Sequence, residues 1–154
     1  MMLTLRTFRT AATVLAFSAL AACSKKEEPT PTPAPVTQGM SWTVDGANVT
    51  ATSAVGHSIA GHAIMGVTGV TGSTDGMSLY VPKTVGTYPL TSTSGAGASL
   101  LVSSSGSTRS FESTSGSMVV TGVTANNVVG TFTFTGSSGT ATKTVTNGKF
   151  NANY

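Results

Sequence analysis

Trp42-Thr43-Val44-Asp45-Gly46-Ala47-Asn48-Val49-Thr50-Ala51 is the stretch that decides the fold. Two short runs of strand-forming residues flank Asp-Gly, a dipeptide that accepts the positive φ angles of a type I′ turn. A two-residue loop sets Val44 against Ala47 and Trp42 against Val49. Both pairs are apolar and share a face, so the hydrophobic pattern and the turn demand the same register. A slip of one residue would send Trp42 to solvent.

The same grammar continues outward from this hairpin. No window carries a 3.6-residue apolar stripe, while period-two alternation recurs between Gly, Asn, Asp and Ser. Residues 58–68 read as one strand region. Residues 77–81 read as the next, stopped by Pro82. Residues 87–90 are short and suit an edge, because Pro89 has no N–H to donate. Strands are then expected over 98–103, 107–113 and 117–123. Val128, Gly130, Phe132 and Phe134 share one strand face. A turn is expected at 136–139 and a strand over 140–146. Asn147-Gly148 reads as a second type I′ turn, which would place Val145 against Phe150 in a final strand over 149–154. About nine to eleven short antiparallel strands with tight turns predict an all-β sandwich or meander barrel. Trp42, Leu79, Tyr80, Leu100, Phe111, Val119, Phe132, Phe134 and Phe150 supply its expected core. Gly66-Val67-Thr68-Gly69-Val70-Thr71-Gly72 is a local repeat, too short for a solenoid and expected to be a mobile strand end or loop.

The N-terminal part has a different character. Arg6 and Arg9 precede an apolar run over 11–22, which ends in Leu20-Ala21-Ala22-Cys23. A charged start, a short apolar stretch and small residues before a cut are the parts of a secretory signal. The run falls short of the ~20 apolar residues that span a bilayer. Leu20-Ala21-Ala22-Cys23 resembles the bacterial lipobox. The resemblance implies cleavage between Ala22 and Cys23, a diacylglycerol on the Cys23 thiol and an acyl chain such as palmitate on the new amine. Two or three acyl chains hold a protein almost permanently, at about 0.8 kcal/mol per buried methylene. Cys23 is the only cysteine of the 154 residues, so lipidation leaves no disulfide or thiol chemistry.

The expected organisation is a signal over 1–22, a lipidated tether over 23–39 and a β domain over 40–154. Proline stands at every second position from Pro29 to Pro35, which favours extended polyproline II and a semi-rigid stalk. Cys23-Ser24-Lys25-Lys26-Glu27-Glu28 resembles the export signal of surface lipoproteins in Bacteroidota. That implies an outer-membrane address with surface display, the periplasmic leaflet being the second choice.

Charge narrows the function classes. The formal net charge is +3, but loss of Arg6 and Arg9 leaves six cations against five acids. No basic patch remains to neutralise several phosphates, so nucleic acid is not an expected partner. Only seven charged residues fall within 40–154: Asp45, Asp75, Lys83, Arg109, Glu112, Lys143 and Lys149.

Candidate chemistry is sparse. Gly56-His57-Ser58-Ile59-Ala60-Gly61 approaches a nucleophile elbow, but Ala60 stands where the last glycine is needed and no helix follows. His57 and His62, the only histidines, would point to opposite faces of a regular strand, which speaks against a shared metal. Asp45 and Asp75 each precede glycine and read as turn residues. Glycoside hydrolysis needs paired carboxylates, and only Asp75 with Glu112 remains. No catalytic residue, metal or cofactor is therefore assigned. Trp42, Tyr80 and Tyr88 are the candidate ligand-facing aromatics, suited to stacking on a glycan or lining a pocket.

Several segments together resemble a family of uncharacterised Bacteroidota lipoproteins: Trp42 with Asp45-Gly46, Gly86-Thr87-Tyr88, Ser115-Gly116-Ser117-Met118-Val119-Val120, Gly130-Thr131-Phe132-Thr133-Phe134 and Asn147-Gly148-Lys149-Phe150. The resemblance implies a secreted all-β fold and no established activity. The Gly-Thr-aromatic pieces are also similar to calycin-like barrels, which implies an interior for a small apolar ligand. The sequence thus leads to a membrane-anchored, non-enzymatic binding or envelope structural domain whose partner is a glycan or protein. The alternative is a calycin-like ligand carrier.

Overall fold

The computed structural model describes residues 38–51, 54–67 and 75–154. The signal, Cys23, the tether to Thr37 and most of the Gly-Val-Thr repeat lie outside the described residues. Among the described residues ten strands follow one another: β1 (Gly39–Val44), β2 (Ala47–Ala51), β3 (Val55–Ile59), β4 (His62–Val67), β5 (Gly76–Pro82), β6 (Gly86–Pro89), β7 (Gly97–Ser104), β8 (Ser107–Val123), β9 (Asn127–Ser138) and β10 (Ala141–Asn153). They form one antiparallel sheet in the order β2-β1-β10-β9-β8-β7-β5-β4-β3, with β6 paired to β8 off this path. The sheet is curled into a half-barrel, and the all-β expectation holds.

The opening hairpin has the register its turn demands. Val44 pairs with Ala47 and Trp42 with Val49. Asp45 and Gly46 take φ of 50° and 82°. Three expectations about the strands change. The strand expected over 58–68 is the β3–β4 hairpin, turning at Ala60 (φ 29°) and Gly61 (φ 83°). The two strands expected within 107–123 are the single β8, whose register shifts between Ser113 and Ser115. Asn147-Gly148 does not reverse the chain. It forms a bulge inside β10, where Val145 pairs with Phe134 and Gly148 with Phe132, one residue too many on β10. Val145 therefore does not face Phe150, which pairs with Met40 and Gly130. A left-handed Asn serves a bulge as well as a turn, so the dipeptide alone does not separate them.

The inward face carries one continuous core. Trp42, Met65, Met77, Leu79, Leu90, Leu100, Met118 and Phe132 are essentially inaccessible. Tyr80 and Val119 leave the expected core. Leu79 with Val81, and Met118 with Val120, take the inward positions on either side, and strand alternation turns Tyr80 and Val119 outward. The phenylalanines pack over glycines in neighbouring strands: Phe150 opposite Gly130, Phe132 opposite Gly148 and Phe134 opposite Gly116. A Cβ on Gly148 would come within 2.6 Å of the Phe132 ring. The absent side chain is the space the ring occupies.

The curl brings β3 to the end of β10. Gly56 pairs with the inward-facing Met65, and a Cβ on Gly56 would collide with the Asn153 carbonyl oxygen. Tyr154 fastens this seam. Its hydroxyl donates to the Thr124 carbonyl at 2.8 Å, and its N–H donates to the Asn126 carbonyl at 3.0 Å. The Lys83 ammonium stands 4.4 Å from the Tyr154 ring centroid and donates to the Ser58 hydroxyl.

Candidate binding face

Alternation on β4 and β5 buries Ala63, Met65, Val67, Leu79 and Val81, so the residues between them face out. Pairing aligns those outward residues into rows. His57 lies opposite Ile64, and Ile64 opposite Tyr80. Ile59 lies opposite His62. His62 stacks on Tyr80 at a centroid distance of 4.3 Å and an interplanar angle of 11°. The neighbour of Tyr80 on β7 is Gly97, so no side chain covers the tyrosine from that strand. Val85 follows in the bend after β5, where the Lys83 N–H donates to the Gly61 carbonyl at 2.9 Å.

The five large apolar side chains most exposed among the described residues all belong to this region. They are Val55 (75 %), Val85 (66 %), Ile59 (46 %), Tyr80 (37 %) and Ile64 (36 %). Scattered exposed apolar residues are ordinary on a protein surface, but a contiguous group of them marks a contact surface.

The other aromatic candidates lie elsewhere. Trp42 is in the core, and its indole Nε1 is buried without a hydrogen-bond partner. Tyr88 is half-buried against the core and donates its hydroxyl to the Thr84 carbonyl at 2.9 Å. The face joins Tyr80 to aliphatic and imidazole groups that sequence reasoning did not connect to it. The missing signal was the Ala60-Gly61 reversal. It puts His57 and His62 on adjacent antiparallel strands and on the same face, where a single strand would have separated them.

The described residues hold no group of three His, Cys, Asp or Glu suited to a metal ion. Asp75 Oδ1 accepts from the Ser103 N–H at 3.3 Å, whereas Glu112 Oε1 accepts from the Ser99 hydroxyl at 2.9 Å and from Ser110 at 2.6 Å. Ser99 and Ser103 are four residues apart on β7, roughly 13 Å at the rise of a strand. The two carboxylates are thus held by different residues at separate places along β7. Ser58 meets Lys83, a pairing known from serine–lysine nucleophiles. Lys83 is half-exposed above the Tyr154 ring, the setting of a cation–π contact rather than of a desolvated base.

A second feature lies on the outer face of β1, β10 and β9. Two open depressions of about 420 and 390 Å³ adjoin there and share Thr131 and Lys149. The larger has Ser41, Thr50 and Val129 on its walls. It is shallow and carries no convergent set of polar groups of the kind that orients a small ligand. No family model, curated protein or solved structure matches the chain.

Proposed function

We propose that the protein is an exported bacterial lipoprotein, held to the outer membrane through lipid on Cys23. Its half-barrel serves as a non-enzymatic binding domain. The observation that carries the binding role is the contiguous exposed face of Ile59, His62, Ile64 and Tyr80 beside a filled interior. A carrier for a small apolar ligand would place that ligand inside the curl. Trp42, Met65, Leu79, Leu100 and Phe132 occupy that space. The anchor rests on the lipobox resemblance and on the position of the single cysteine.

The anchor is tested by mass spectrometry of the N-terminal peptide from native membranes. The expected peptide begins at Cys23 and carries diacylglycerol and an amide-linked acyl chain. A free thiol and an unmodified amine on Cys23 would sink the reading. Protease treatment of whole cells tests display: cleavage before lysis is expected, and cleavage only after lysis places the domain on the periplasmic side.

A further inference from the structure

We infer that the partner of this exposed face is the bilayer that carries the anchor. This rests on the lipoprotein reading above. The first observation is composition: aliphatic Ile59 and Ile64 sit with His62 and Tyr80 on the outer face of β3, β4 and β5. Apolar side chains flanked by tyrosine and histidine suit the boundary between headgroups and acyl chains, where a ring buries its apolar body and keeps its polar tip wet. The second is charge. Among the described residues, β3, β4 and β5 carry no carboxylate. Asp45 is paired with Lys143 beside the first hairpin turn, Asp75 lies before the far end of β5, and Glu112 is held by serines of β7 and β8. Glu112 shares this outer face two strands beyond β5, its Oε1 held by the Ser99 and Ser110 hydroxyls.

The third observation is where the chain enters. Gly39, the first residue of β1, pairs with Asn151 near the end of β10. Tyr154 follows there, Lys83 lies over its ring, and the Lys83 N–H reaches the turn that carries Ile59. The tether therefore joins the domain at the end of the sheet that holds Ile59 and the bend of Val85. Cys23 and Gln38 are fifteen residues apart, at most about 50 Å when fully extended. A site held this close to a surface meets it at a high effective concentration, so a weak contact suffices. Size favours this partner over a soluble protein. A stable protein interface takes roughly 20–30 residues on each side, and this face offers far fewer.

The test uses the full mature chain, purified from membranes and reconstituted in vesicles of phosphatidylethanolamine and phosphatidylglycerol. Val85→Cys and, at the opposite end of the sheet, Ser107→Cys are each labelled with a fluorophore. Nitroxide lipids are expected to quench the label at position 85 about three-fold more than the label at 107. Adding Ile59→Ser to Val85→Cys is expected to remove most of that difference, while circular dichroism stays unchanged. Equal quenching at both positions, or none at either, overturns the docking. Mass analysis of the same sample keeps the two readings apart. Lipidated Cys23 with an unquenched Val85→Cys label sinks the docking alone, whereas an unmodified Cys23 removes the anchor and the docking with it.

Discussion

Gly130 shows how much a missing side chain decides. A Cβ there would strike the Val119 carbonyl oxygen and the Phe150 ring together. The ring can move, but the carbonyl belongs to the β8–β9 ladder. Gly130→Ala is therefore expected to destabilise the domain by about 3 kcal/mol, the upper range for overpacking, as measured by urea denaturation. Trp42 is the natural reporter for that experiment, since it is the only tryptophan and is fully buried. Its emission should shift to the red in a single transition. The phenylalanine positions of the core were legible in the sequence as inward residues. Their glycine partners were not, because a cross-strand neighbour is known only once the register is known, and bulges in β8 and β10 displace it.

At the scale of elements, the β1–β2 hairpin was readable in full because its turn and its apolar pairs agree. Asp45 occupies a left-handed position that alanine takes poorly, at a cost of roughly 1–2 kcal/mol. Its ion pair with Lys143 is exposed, and exposed pairs contribute about 0–1 kcal/mol. Asp45→Ala should therefore lower the denaturation midpoint clearly, while Lys143→Ala should leave it nearly unchanged. Comparable losses in both variants would show that the ion pair, not the turn, holds the hairpin. The β3–β4 hairpin was hidden because Ala60 gives no turn signal, although it adopts a positive φ beside Gly61. Asn147-Gly148 gave a strong signal that the chain uses for a bulge. The candidate face depended on the first of these, so it was not legible until the strands were paired.

For the molecule as a whole, the decisive contact is the seam between β3 and the end of β10. Gly56→Val would force a side chain into the Asn153 backbone and push the two apart. Hydrogen exchange in β3 and β4 should then accelerate, while amides at the centre of β9 keep their protection. Unchanged protection in β3 would mean that the seam does not hold the curl closed. Tyr154→Ala should produce a milder form of the same change, since it removes the hydroxyl bond to Thr124 and the ring beneath Lys83. The sheet order has a consequence for the timing of assembly. The first strand lies between β2 and the last one, with Gly39 paired to Asn151. Until β10 is available, β1 has only its hairpin partner, and β9 lacks a neighbour on one side. Such distant pairings slow folding, because the chain must close a long loop before any contact rewards it. A chain that emerges from its N-terminus, as from a ribosome, therefore cannot complete this sheet before β10 has emerged, so the fold is gained late and nearly at once.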